Sequence, residues 1–126
     1  RNETVKLMKR FQAFGWNCTI RYVLSIPSMK AVSGADCVII DQQLETLENV
    51  SICDTALKLR ACGFDGVLVV LLQESVRNTE LIRDEVMRSV AEAVVIMAPI
   101  KDQHIQQMTM LLEKRCVRQL LYLNGN

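Results

Sequence analysis

Three short apolar runs dictate most of what this chain can become: "DCVII" from Asp36 to Ile40, "GVLVVLL" from Gly66 to Leu72, and "AVVIM" from Ala93 to Met97. Each is too short for a helix and lacks polar alternation. A strand with one wet face alternates, whereas a strand covered on both faces reads apolar throughout, as in a parallel sheet with helices on either side. The intervening stretches have helical periods. Val50 to Ala61 is amphipathic and stops at Gly63. Asn78 to Ala91 reads as a charged helix, and Asp102 to about Cys116 as a long one with Ile105, Met108, Leu111 and Leu112 inward. Upstream, Val5, Leu7, Met8, Phe11 and Phe14 give Thr4 to Phe14 a helical period that ends at Gly15. "NCTIRYVL" then alternates as a strand should, and Ser28 to Ser33 is a short helical stretch closed by Gly34. Strands alternating with helices specify a doubly wound α/β domain.

At 126 residues, half of them apolar, the chain has the size of one domain with a single hydrophobic core. Lys plus Arg (15) nearly balances Asp plus Glu (14). No overall field then draws it to nucleic acid or to an acidic membrane. Five cysteines, Cys18, Cys37, Cys53, Cys62 and Cys116, form no C-x-x-C pair, and their odd number argues for a reducing, intracellular setting, with three of them in apolar runs where a thiol acts as a small hydrophobe. The apolar runs are strand-sized and the start of the chain is polar, so neither a spanning helix nor a signal peptide is expected, and the chain reads as a piece of a longer protein.

In a doubly wound sheet the functional crevice lies beyond the carboxyl ends of the strands. Asp41, Gln73 and Ala98 fall there together. Elsewhere the chemistry is sparse. No Ser-His-Asp or Cys-His set, Gly-rich phosphate loop or metal-ligand spacing can be assembled. His104, the only histidine, reads as a solvated side chain on the first turn of a helix, because metal and nucleophilic sites need converging partners. Met87, Met108 and Met110 read as core filler, and "RNTELIRDEVMRS" as a solvated face of mixed sign.

The series of elements, with "ADCVIID" ending at Asp41 and "AVVIMAPI" running into Ala98-Pro99, resembles the receiver domain of two-component response regulators over nearly the whole chain. The resemblance implies a flavodoxin-like five-stranded parallel sheet in the order 2-1-3-4-5. It also implies a central first strand ending in an acidic pair, which the head of this chain lacks. The tail "QLLYLNGN" supplies a candidate. On that reading residues 1–118 run from the first through the fifth helix, and residues 119–126 are the central strand, joined by a short connection around Lys114 to Arg118, as in a circular permutation. Without such a strand, two rows of backbone groups in the middle of the sheet would be unpaired. Strand exchange with a neighbouring chain, a truncated fragment, and a simple extension of the last helix capped by Asn124 and Gly125 remain open alternatives.

Carried over residue by residue, the resemblance places Asp41 at the phosphoacceptor, Asn124 and Gly125 at the acidic pair that holds Mg²⁺, and Ala98 at the lysine. Gln73 and Val95 stand at the two switch positions. Pro99 stands at a peptide that is often cis. Phosphoryl transfer needs the metal and the lysine to neutralise the entering oxygens. One carboxylate stands where three are required, Lys101 lies past Pro99, and Gln42, Gln43, Leu44 and Glu45 replace the Pro and Gly that follow the family's aspartate. The residues therefore imply a degenerate receiver that is no enzyme, holds no cofactor, and keeps Asp41 as a polar residue bonded to backbone N–H. Mg²⁺ enters only if Asp41 is an atypical phosphoacceptor. The implied role is a protein-interaction or regulatory module of a cytoplasmic phosphorelay, in a larger protein such as a hybrid histidine kinase. Its partner would be a kinase, another domain of the same protein, or a second copy. The implied surface is the fourth helix, fifth strand and fifth helix of the family, here Asn78 to Arg88 and Gln103 to Leu112. A flavodoxin-like small-molecule binder is a third reading, for which the chain offers no phosphate loop.

Overall fold

The structure is a computed structural model that describes residues 2–16, 19–23, 35–43, 51–73, 79–112 and 119–123. Its elements follow the order α1 (Asn2–Ala13), β1 (Thr19–Val23), β2 (Cys37–Asp41), α2 (Ile52–Ala61), β3 (Val67–Leu72), α3 (Thr79–Ser89), β4 (Ala93–Met97), α4 (Asp102–Leu111) and β5 (Gln119–Leu123). The chain is α/β with a parallel sheet. Within the described residues the strands lie in the order β1-β5-β2-β3-β4. The last strand in sequence is thus in the middle. Thr19 pairs with Gln119 through Val23 with Leu123 on one side of it, and Cys37 with Leu120 through Ile40 with Leu123 on the other.

Period-two alternation divides the buried strands between two cores. Val38, Ile40, Leu68, Val70 and Leu72 point to one face, where Ile52, Cys53, Ala56 and Leu59 of α2 and Val86 of α3 cover them. Cys37, Ile39, Val69, Leu71 and Ile96 point to the other, against Phe11 of α1 and Ile105 and Met108 of α4. Most of these side chains are fully buried, each Val, Leu, Ile, Phe or Met among them contributing on the order of 1.5–3 kcal/mol of transfer free energy. That double cover explains the absence of polar alternation in the three runs.

Helix positions are held by polar contacts at their margins. Ser51 caps α2, its hydroxyl accepting the Asp54 N–H at 3.2 Å. Trp16 packs edge-on against Phe11 with centroids 4.6 Å apart, and its indole N–H donates to Thr109 Oγ1 at 2.6 Å, which ties the end of α1 to α4. Arg10 reaches Asp102 at 3.1 Å across the same pair of helices. On the far side Arg60 donates to the carbonyls of Phe64, Gly66 and Ala91, fastening the turn before β3 to the turn before β4.

Several inward assignments do not survive. Leu111, Met110 and Met87 are 52%, 68% and 60% exposed. The reason is angular. α4 buries Ile105, Met108 and Leu112, and at 100° per residue Met110 lies 200° from Met108 while Leu111 is turned 100° off Leu112. Val86 and Val90 similarly define the buried line of α3, leaving Met87 beside it. Met108 is core, as expected. The expected helix Ser28–Ser33, the connection Lys114 to Arg118, Leu44 and Glu45, Asn124 and Gly125, and Cys18 and Cys116 all lie outside the described residues.

Candidate functional site at the carboxyl edge of the sheet

Asp41 closes β2 on the face shared by α1 and α4, two residues beyond Ile39 and four beyond Cys37. It is only 4% exposed. Three donors meet its carboxylate. The Tyr122 hydroxyl donates to Oδ2 at 2.9 Å, the Gln73 carboxamide N–H to Oδ1 at 3.0 Å, and the Gln43 backbone N–H to Oδ1 at 2.9 Å. They come from β5, from the residue after β3, and from the turn after β2, so one side chain joins three neighbouring strands. The Gln43 contact is an Asx turn, the backbone-capping role expected for Asp41.

The ladder continues past the ends of the strands. Gln42 N–H donates to Leu71 O at 2.8 Å and Ala98 N–H to Leu72 O at 2.7 Å. Gln73, one residue past the Leu72–Met97 pair, thus lies beside Ala98, and its side chain reaches back to Asp41, the partner of Leu71. Gln42 is 1% exposed, and its side-chain Oε1 accepts the Gln73 backbone N–H at 2.6 Å. Among the described residues its Nε2 has no hydrogen-bond partner, and a buried donor left so costs about 1–3 kcal/mol. Thr79 at the start of α3 donates its hydroxyl to Gln73 O at 2.9 Å. Gln73 is thus held at N–H, carbonyl and side chain together.

The remaining positions separate from this cluster. Val95 packs against the core on the α2 and α3 face, across the sheet from Asp41. Ala98 lies on the Asp41 face and offers a methyl group. The Ala98-Pro99 peptide is cis. Lys101 is exposed and precedes α4. His104 is half-buried rather than solvated, because its Nδ1 accepts the Lys101 backbone N–H at 2.9 Å and so closes the first turn of α4. Burial, with the Lys101 charge adding to it, lowers its pKa below the ordinary value of 6.5.

Cys37 and Cys53 are buried and Cys62 is exposed at the end of α2. Burial pushes the Cys53 thiol up to about 11, helped by its hydrogen bond to Glu85 and the nearby negative charges. Among the described residues no three His, Cys, Asp or Glu side chains gather as metal ligands, and no helix is long and apolar enough to cross a membrane. A surface pocket bounded by Arg60, Asp65, Gly66, Val67, Glu92 and Leu111 sits at the amino ends of β3 and β4, remote from Asp41.

Among the described residues the groups aimed at the Asp41 carboxylate are the positive ends of O–H and N–H dipoles, whereas a cation calls for further oxygen ligands of the opposite polarity. Tyr122 and the pair Gln42 and Gln43 were not candidates on sequence. The only signal for Tyr122 was its place in the alternation of "QLLYL", which becomes informative once the register with Ile39 is known. Compared with family models, curated proteins and solved structures, the chain matches none.

Proposed function

We propose that the domain is a degenerate receiver, a protein-interaction or regulatory module of two-component-type signalling that does not transfer phosphoryl groups efficiently. The observation that carries this reading is the engagement of both Asp41 oxygens by three donors. A phosphoacceptor must present a free carboxylate oxygen in line with the incoming phosphorus. Here Oδ2 accepts from Tyr122 and Oδ1 from both Gln43 and Gln73, and Ala98 supplies no charge where a lysine would stabilise the transferred group.

The strand order supports the same reading. With β5 counted as the family's first strand, β1-β5-β2-β3-β4 is the order 2-1-3-4-5, with helices on both faces. Leu81, Met87, Met110 and Leu111 are each more than half exposed on α3 and α4, which supports a protein-binding surface around Asn78–Arg88 and Gln103–Leu112, for a kinase, another domain or a second copy. An intracellular location is part of the same proposal. Incubation with acetyl phosphate and Mg²⁺, followed by intact-protein mass measurement, tests the proposal: no phosphoryl adduct is expected, and an adduct lost in Asp41→Asn would establish the atypical phosphoacceptor instead.

A further inference from the structure

β5 is a central strand that reaches its place from the far end of the sequence. It pairs with β1 over five positions and with β2 over four, and Thr19 finds Gln119 only after all the other described elements have been made. Until it arrives, β1 and β2 face an open slot lined by unpaired N–H and C=O groups, which a sheet interior does not tolerate. The slot also carries a specific side-chain receptor, the Asp41 carboxylate that takes the Tyr122 hydroxyl. Nothing in that recognition depends on which molecule supplies the strand. Residues 113–118 are the connection in the chain between α4 with its cap Leu112 and β5.

We propose that the slot between β1 and β2 is a homotypic interaction site whose second occupant is the β5 segment of another copy, giving a reciprocally exchanged dimer. In that dimer each Tyr122 donates to the Asp41 of the opposite copy, and the backbone pairs and the latch are those of the closed monomer. Exchange of an identical element adds little enthalpic cost because the contacts are conserved. The balance is then set by concentration. A short connection gives the chain's own strand an effective concentration of about the millimolar range, so the closed monomer wins at micromolar concentration. The long sequence separation makes insertion of β5 slow relative to local structure, so crowded refolding favours exchange. Formation of this dimer requires no feature of the Asp41 site beyond the latch, and its failure leaves the functional proposal intact.

The register supplies the test. Leu120 is the Cα partner of Cys37, so in a chain with the other four cysteines replaced, Leu120→Cys puts the introduced thiol within disulfide reach of Cys37. The full chain is unfolded, refolded at about micromolar and at about millimolar concentration, oxidised with excess oxidised glutathione, and run on denaturing non-reducing gels. Exchange predicts a covalent monomer cross-linked internally from the dilute sample and a covalent dimer, joined between Cys37 and the introduced thiol, from the concentrated one. An internal cross-link at both concentrations overturns the proposal. Light scattering on the unmodified chain refolded at the same two concentrations gives a second reading: dimer only in the concentrated sample supports exchange, and monomer in both excludes it.

Discussion

Tyr122 and Asp41 are separated by 81 positions in the chain, and the phenol of one donates to the carboxylate of the other at 2.9 Å in a buried setting. The contact fastens β5 to the end of β2 and occupies the one side chain that a receiver would need free.

Removing the phenol tests the fastening. Tyr122→Phe leaves Asp41 Oδ2 without its donor at 4% exposure, and a hydrogen bond to a charged group contributes about 1.5–3 kcal/mol. Urea unfolding is expected to show a loss in that range with an unchanged m-value. In a double-mutant cycle with Asp41→Ala, the two losses are expected to be non-additive by about 0.5–3 kcal/mol. Additive losses would mean that the pair is not coupled.

The thiols are predicted to differ by burial. With Cys53 raised to about 11, its thiolate fraction at pH 8 is on the order of one in a thousand, and Cys37 is fully buried. Iodoacetamide at pH 8 is therefore expected to modify Cys62 in the folded protein and to spare Cys37 and Cys53 until denaturant is added, as read by peptide mass mapping.

His104 gives a pH dependence of definite sign. Its folded pKa lies below 6.5, through burial first and the Lys101 charge second, so the unfolded chain binds its proton more readily. The stability that comes from the neutral ring accepting the Lys101 N–H is complete above pH 6.5 and is lost as pH falls toward and through the folded pKa. His104→Gln keeps an acceptor without titrating. Thermal melts at pH 7.5 and 5.0 are expected to show a larger fall for the original chain than for the variant. Equal falls would remove His104 from the account.

Gly66 is predicted to resist any side chain. A Cβ there would collide with the backbone oxygen of Asp36 and would come within 2.7 Å of the Phe64 ring, and Asp36 O already accepts the Val67 N–H at 3.0 Å. Gly66→Ala is expected to cost about 1–3 kcal/mol by overpacking, measurable by urea unfolding. Gly66 and its neighbour Phe64 are also where Arg60 fastens the turn, so the loss should include a loosening of that corner.

Much of the fold was legible because double burial writes itself into composition. "CVII", "VLVVLL" and "AVVIM" became β2, β3 and β4 within a residue of their expected bounds, and Asp41, Gln73 and Ala98 share the carboxyl edge because parallel strands end together. What could not be read was register and rotation. Leu111 and Met110 were turned outward by the α4 line through Ile105, Met108 and Leu112, which is a matter of which of several apolar stripes meets the sheet. The Tyr122 latch depends on β5 sliding beside β2 with Tyr122 opposite Ile39, and no local pattern encodes a pairing that distant. Likewise the orphaned Gln42 Nε2 breaks a local rule, the satisfaction of buried polar groups, which a sequence cannot announce.

The most direct test of the central claim is an amide-resolved spectrum of the domain titrated with beryllofluoride and Mg²⁺. A carboxylate already held by Tyr122, Gln73 and Gln43 predicts no saturable shift at Asp41 or at any of those three residues. Saturable, Mg²⁺-dependent shifts centred on Asp41, abolished by Asp41→Asn in a folded variant, would show an open phosphoacceptor site and contradict the account.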